Sequence, residues 1–411
     1  KLKQRKECRS KLRLAMGAMA LGKGKESQRG RCSYRRVEDN PMVLFEPFRI
    51  KSMEIPNRFV RSATYDGLAE KDGSVSERQL ALYEGLARGG AGFIVTGISY
   101  VHASGRISAF QNSIADDRDI ERWSALVRSV HRFGARIAVQ LFHAGREKGR
   151  IYRKQPALAP SFLGEDPFFD GPHRGMDEDE ILEVIEAFGD GASRARDAGF
   201  DAVQIHGAHA YLLSQFLSPF TNRREDRWGG GLENRLRLHR EIVRTVRKRV
   251  GGDYPLLMKL GVEDGFAGGL EFREGLAAAE ILGRDGLDGV EVSLGLRGRL
   301  YDQTEYRAGI TRPDREAYYR HWCLEIRQRV SVPVILVGGV RSLETAEEIV
   351  QKEEADLVSM SRPLIREPDL ISRWQRGDRT PSTCVSCNRC MEALLEAKPL
   401  ACYGPKKEKS I

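Results

Sequence analysis

Residues 332 to 362 read VPVILVGGVRSLETAEEIVQKEEADLVSMSR. Two short apolar runs, VPVILVGGV from 332 and ADLVSMSR from 355, flank a longer segment of helical period. A strand, a crossover helix and a second strand form the basic unit of a parallel sheet. Strands covered on both faces give unbroken apolar runs of this kind.

The same texture repeats upstream. RFVRSAT near 58, AGFIVTG near 91, ARIAVQLFH near 135, FDAVQIHG near 200, YPLLMKLG near 254 and LDGVEVSLG near 287 bring the number of runs to eight. Helix starts lie between them: Ser76 with Gln79, and Asp177 with Glu180, have capping-box spacing and lead into apolar residues such as Ile181, Val184, Ile185 and Phe188. Gly134, Gly199 and Gly251 mark helix exits. Eight units predict an α/β fold, a (β/α)8 TIM barrel. The rival is an open doubly wound sheet, which needs a Gly-rich phosphate turn after an early strand; the sequence holds neither G-x-G-x-x-G nor G-x-x-x-x-G-K-[ST].

The 411 residues are 41% hydrophobic and 30% charged, with a formal charge of +9. Residues 1 to 41 hold 13 Lys and Arg against 4 Asp and Glu, so the whole excess sits there and the remainder is neutral. A charge confined to one end says nothing about the folded body, and a nucleic-acid partner is not expected. The expected organisation is a basic N-terminal extension over 1–41, disordered or foreign to the native protein, a barrel over 42–380, and a Cys-rich tail over 381–411. Met42 then opens the functional chain. A transit peptide is the rival reading of the Arg-rich, acid-poor start, which lacks a long amphipathic pattern. No stretch approaches about 18 uninterrupted apolar residues. Neither membrane nor secretion is indicated, and the default expectation is a cytoplasmic protein, with a homo-oligomer left open.

Two connections exceed the usual 2 to 6 or so residues of βα loops. Residues 144 to 176 carry Tyr152, Phe162, Phe168 and Phe169, and 296 to 313 carry Tyr301 and Tyr306. Both follow strands, so both are expected as walls over a pocket at the catalytic end, with plain structural loops as the alternative.

Barrel enzymes place their chemistry where strands end. The residues there are Ser62, Ala63 and Thr64, then Thr96 and Gly97, Gln140 and His143, His206 and His209, Lys259, and finally Gly338, Gly339, Ser361 and Arg362. The last two loops suit a phosphate, since glycines admit close approach of backbone N–H groups and Arg362 supplies a cation. A tight turn and a surface charge are the bland alternative. His206 and His209 could offer two N–H donors to one developing oxyanion; zinc ligation or a structural role also fit their spacing, although Gln140 is a poor zinc ligand. Tyr211, with an ordinary pKa of about 10, would hold a proton to donate, or could simply pack.

The stretch HGAHAYLLSQFLSPFTNRREDRWGGGLENRLRL, residues 206 to 238, resembles the signature of the old yellow enzyme family. NRFVRSAT, QLFHAGR, LVGGVRS and SRPLIREPDL follow in the family's order, so the resemblance covers 43 to 380. It implies FMN at the C-terminal ends of the barrel strands, reduced by NADH or NADPH. Ser62, Ala63 and Thr64 would lie beside the isoalloxazine, Gly97 near its edge, and Gln140 on its pyrimidine ring. Lys259 stands where many relatives have arginine, and Gly338, Gly339, Ser361 and Arg362 would take the phosphate. The histidines matching His206 and His209 bind a substrate carbonyl oxygen, and the tyrosine matching Tyr211 protonates the α-carbon. The implied reaction is reduction of activated C=C bonds in enones or enoates, with a small-molecule alkene and NAD(P)H as partners in ping-pong order.

Tyr65 departs from the Thr or Cys of many old yellow enzymes, and SATYDGLAEKDG is more similar to the 2,4-dienoyl-CoA reductase branch. That branch carries a cysteine cluster after the barrel. Here Cys384, Cys387, Cys390 and Cys402 give C-x2-C-x2-C-x11-C, one residue short between the second and third positions. A 4Fe-4S cluster, zinc and reduced thiols all remain open. The dinucleotide-binding domains of that branch are expected to be missing from a chain that stops at 411. Alternative activities are FMN-dependent dehydrogenation or demethylation of an amine or steroid, and, in another class, a flavin- or phosphate-binding barrel without turnover.

Overall fold

The computed structural model describes residues 42–150, 154, 156–300, 303–396 and 398–404. The basic segment 1–41, Tyr152 and Tyr301 lie outside the described residues.

All eight apolar runs are strands. They are β1 (Phe59–Arg61), β2 (Phe93–Tyr100), β3 (Arg136–Phe142), β4 (Ala202–Gly207), β5 (Leu256–Gly261), β6 (Gly289–Ser293), β7 (Val334–Val337) and β8 (Leu357–Met360). Each pairs in parallel with the next in sequence, β8 pairs with β1, and the ring closes.

Side chains alternate across each strand, so every second residue enters the barrel. At the N-terminal end these are apolar: Val60, Phe93, Val95, Ala138, Ala202, Leu257, Ile335 and Leu357 pack together. Ile50, Met53 and Ile55, from the antiparallel hairpin Phe48–Ile50 and Met53–Ile55, join them and plug the bottom. The outward residues, among them Val139, Val203, Met258, Val290, Leu336 and Val358, pack in the larger core with the helices. Full burial of one such side chain contributes about 1.5–3 kcal/mol, so this outer layer is the main source of stability.

The helices begin and end as their caps direct. Glu77–Arg88 starts on a complete Ser76/Gln79 capping box and Glu178–Asp197 on a complete Asp177/Glu180 box. Gly134, Gly199 and Gly251 all adopt positive φ just past helix ends. Within the connection 144–176, Ala157–Ala159 and His173–Gly175 pair in parallel, so this part is more than a plain loop. No helix among the described residues is long and apolar enough to cross a membrane.

Candidate active site

Two residues beyond the apolar plug, the inward positions turn polar. Ser62, Gln140, Gln204, Lys259, Glu291 and Ser359 are all buried. Strand register sets Gln140 beside Gln204, and Lys259 between His206 and Glu291. The layer bonds internally: Lys259 Nζ donates to Ser62 Oγ at 2.8 Å, and Ser62 Oγ donates to Glu291 at 2.7 Å.

Above this layer opens a cavity of about 1030 Å3. Ser62, Ala63, Thr64, Gln140 and Lys259 line its floor side, and His206, His209 and Tyr211 line it as well. Gly338, Gly339, Ser361 and Arg362 complete the set. Thr64 Oγ1 lies 2.8 Å from Ser361 Oγ, tying the first strand end to the last. Parts of both long connections form walls, Phe168 and Glu147 from the first, Arg297, Glu305 and Tyr306 from the second. Phe162 instead points to solvent, 66% exposed.

Three sequence candidates fall elsewhere. Gly97 is not on the cavity wall; its N–H donates to Tyr83 Oη at 2.8 Å, and a Cβ there would come within 2.9 Å of the Thr64 carbonyl. Its small size serves close packing of β2. His143 pairs with Ser104 Oγ at 2.8 Å and accepts from Gly145 N–H at 3.0 Å, and Thr96 accepts from Gln140 N–H at 3.3 Å.

The histidine pair sits on a turn that L-residues rarely make, with φ of 60° at His209 and 65° at Ala210. His209 and Ala210 N–H groups bond Leu294 and Gly295 carbonyls, each at 3.0 Å, which holds the strained turn in place. The His206 and His209 ring centroids are 5.0 Å apart, and Tyr211 is 5.0 Å from His206. Burial holds both imidazoles well below their usual value, with neighbouring His209 and Lys259 adding to the effect on His206. Both rings are therefore neutral near pH 7. His206 Nδ1 accepts from Ala208 N–H at 3.3 Å, so its proton sits on Nε2. Burial pushes the Tyr211 phenol up, partly offset by Arg297, so the hydroxyl keeps its proton.

Gly338 and Gly339 adopt φ of 133° and 78°, and a Cβ would meet the Tyr318 ring at 3.1 and 2.9 Å. Only glycine combines that backbone with that close approach. Arg362 Nη1 donates to the Arg307 carbonyl at 2.8 Å and to Asn388 Oδ1. Asn388 Nδ2 donates to the Tyr306 carbonyl at 2.7 Å. The tail thus folds back against the cavity, and its Ser386, Met391 and Leu394 line it.

The tail cysteines neighbour one another: Cys384 feels the charges of Cys387 and Cys402, and Cys390 those of Cys384 and Cys387. None of the four is in a disulfide, and the described residues show no group of three or more His, Cys, Asp or Glu already gathered around a metal position. Cys387 Sγ donates to the Gly404 carbonyl and Cys402 Sγ accepts from Arg366, each at 3.6 Å. Burial raises the Cys384 and Cys390 thiols. The same absence applies to zinc at His206 and His209.

Sequence reasoning missed Gln204, Glu291 and Ser293. Glu291 carried a usable signal: a carboxylate between two valines in a strand buried on both faces must be paired. Arg297 and Glu305, which pair at 2.7 Å beside Tyr211, lie on a loop with no periodicity to read.

A (β/α)8 barrel with a Gly-Gly turn and an arginine at its last strand ends, a polar floor and neutral proton donors on one wall suits a flavin-binding oxidoreductase. The chain belongs to the NADH:flavin oxidoreductase / NADH oxidase family, whose model matches residues 43–380, and within it to the old yellow enzymes. It is 36% identical over 358 residues to an NADH oxidase of Thermoanaerobacter brockii, covering 84% of this chain and 52% of the relative. It is 36% identical over 327 residues to an NADPH dehydrogenase of Halalkalibacterium halodurans, covering 79% and 91%. A solved 2-naphthoyl-CoA reductase complex superposes with a TM-score of 0.80 at 26% identity, covering 88% of this chain and 56% of that one. The chain spans about half the length of the first and third of these relatives.

FMN and NAD(P)H are the cofactors of this family, and the cavity fits FMN. The Gly338-Gly339 turn and Arg362 both neighbour Tyr318 and suit its phosphate. Ser359 Oγ, on the cavity wall, is buried without a protein partner. Gln140 and Lys259 offer a hydrogen-bonding amide and a cation to a polar ring edge.

Proposed function

We propose that this chain is an NAD(P)H-dependent ene-reductase acting on C=C bonds conjugated to a carbonyl. The observation that carries the reading is the convergence of His206, His209 and Tyr211 on one cavity wall, all uncharged and all able to donate a proton or hydrogen bond. Bound FMN, held by Gln140, Lys259, Gly338, Gly339, Ser361 and Arg362, supplies hydride.

His206 Nε2–H and an N–H of His209 hold the carbonyl oxygen and stabilise the negative charge that develops there, as preorganised donors do in a water-poor site. Neutral donors suit this role, because they need no proton from solvent at the start of turnover. Tyr211 Oη delivers its proton to the α-carbon, and Arg297, above its ring at 5.5 Å, stabilises the phenolate left behind. The similarity to 2-naphthoyl-CoA reductase supports a conjugated acyl substrate.

The test is a purified protein with a flavin absorption spectrum that bleaches anaerobically with NAD(P)H and recovers on adding cyclohexenone. Protein that cannot be reconstituted with FMN, or that holds reduced FMN unchanged in the presence of enones, would sink the reading.

A further inference from the structure

Glu291 has no exposed surface. Its carboxylate accepts from Ser62 Oγ at 2.7 Å and from Gln204 Nε2 at 2.9 Å, and pairs with Lys259 Nζ at 3.2 Å. Gln204 Oε1 in turn accepts from Gln140 Nε2 at 2.7 Å. A buried carboxylate is costly even when paired, and none of the histidine and tyrosine chemistry calls on it. We infer that Glu291 is a positioning residue that fixes the charge and the hydrogen-bond polarity which the cavity floor presents to the pyrimidine ring of FMN. The inference rests on FMN occupying the cavity.

The polarity follows from what each group can do. An ionised carboxylate only accepts. Gln204 must therefore turn its NH2 toward Glu291 and its carbonyl toward Gln140. Gln140 then gives one N–H to Gln204, which fixes the amide's orientation and leaves Oε1 as a free acceptor. A floor amide with its oxygen outward matches a ring imide N–H. Reversing the chain would put two donors against the ring's donor.

The charge argument uses the same contacts. Lys259 and Glu291 together carry no net charge, although each is buried. Removing the carboxylate leaves an uncompensated cation beneath the ring, which favours any ring state with added negative charge. Glu291 thus restrains the pull that Lys259 exerts and keeps the flavin able to pass its electrons on.

The experiment uses the FMN-loaded protein in three forms: wild type, Glu291→Gln, and the double variant Lys259→Met with Glu291→Gln. Sulfite binding, followed by loss of visible flavin absorbance, and the midpoint potential report charge at the ring independently of turnover. Glu291→Gln is expected to bind sulfite roughly tenfold or more tightly, with a potential shifted positive. The double variant, with both charges gone, should return to within about threefold of wild type. A Glu291→Gln protein that keeps FMN and shows unchanged sulfite affinity and potential overturns the inference. If that variant does not fold, a double variant displaced from wild type by roughly tenfold or more overturns it instead. Wild-type protein that binds no FMN fails differently, by removing the cofactor reading itself.

Discussion

His209 Nε2 lies 2.7 Å from Ser293 Oγ, across the mouth of the barrel from the end of β4 to the end of β6. A neutral imidazole has one N–H. If Ser293 donates to Nε2, the proton of His209 sits on Nδ1 and that nitrogen becomes the donor for a substrate oxygen. In that arrangement Ser293 selects the tautomer that serves the substrate. Ser293→Ala is expected to lower enone turnover by roughly tenfold, a fraction of the loss seen when an oxyanion donor is removed outright. Stopped-flow reoxidation of the reduced protein by cyclohexenone measures it, and unchanged reoxidation would show that His209 needs no such partner.

Tyr211 packs edge-on against Phe142, with centroids 4.5 Å apart, and against His206. Replacement by Phe preserves that packing and removes only the hydroxyl, so stability should stay within about 1 kcal/mol of wild type. Reduction of the flavin by NAD(P)H is expected to be unaffected, whereas alkene reduction falls by roughly 100-fold or more. A Tyr211→Phe protein that reduces cyclohexenone at the wild-type rate would assign the proton to solvent.

The fold was legible because a closed parallel barrel buries its strands on both faces, and each of the eight apolar runs, from RFVRSAT to ADLVSMSR, contains a strand. Ser76 and Asp177 were legible because a capping box is a local hydrogen-bond pattern. Strand-end residues on the cavity were legible where a residue type is unusual, as at His206, Lys259 and Gly338. Glu291 and Gln204 were not, because their meaning depends on which strands become neighbours across the barrel. Gly97 was ambiguous, since a glycine at a strand end serves close packing as readily as ligand approach. The cysteine spacing left a cluster, zinc and thiols open, because spacing alone does not report how Asn388, at φ 61°, turns the tail.

Acid should destabilise this protein through its buried histidines. His143 and His239 are held down to about 3, and His206 and His209 well below the usual value, in each case chiefly because burial penalises the charged ring. In the unfolded chain all four take protons near pH 6.5. Between about pH 6.5 and 3 the unfolded state therefore binds more protons, and stability falls with pH by about 1.4 kcal/mol per unit for each histidine. Asp264, pushed up to about 6 by burial, works in the opposite sense between about pH 6 and 4. Asp66, also raised by burial, acts in the same direction. Glu263 is raised by burial too, but four imidazoles outweigh three carboxyls, so the urea midpoint is expected to drop between pH 7 and 5. His239 has no partner for either ring nitrogen, and His239→Leu should flatten that slope without loss of a hydrogen bond. A midpoint constant across this range would contradict the assignment.

Asn388 joins the tail to the phosphate end of the cavity. Its amide accepts from Arg362 and donates to the Tyr306 carbonyl, so one side chain fixes a guanidinium at the end of β8 and a loop following β6. Without it, Arg362 would keep the Arg307 carbonyl as an anchor but lose the second point that sets its direction. The left-handed backbone complicates a simple test, because alanine at φ 61° adds a strain of about 1–2 kcal/mol. Glycine at 388 removes the amide without that strain. FMN affinity, read from the recovery of free-flavin fluorescence on dilution, is expected to weaken about tenfold in both Asn388→Gly and Asn388→Ala, since both lose the amide. Thermal stability should fall further in the alanine variant. If Asn388→Gly binds FMN as tightly as wild type while Asn388→Ala does not, the backbone turn is what orients the tail, and the hydrogen bond to Arg362 is incidental.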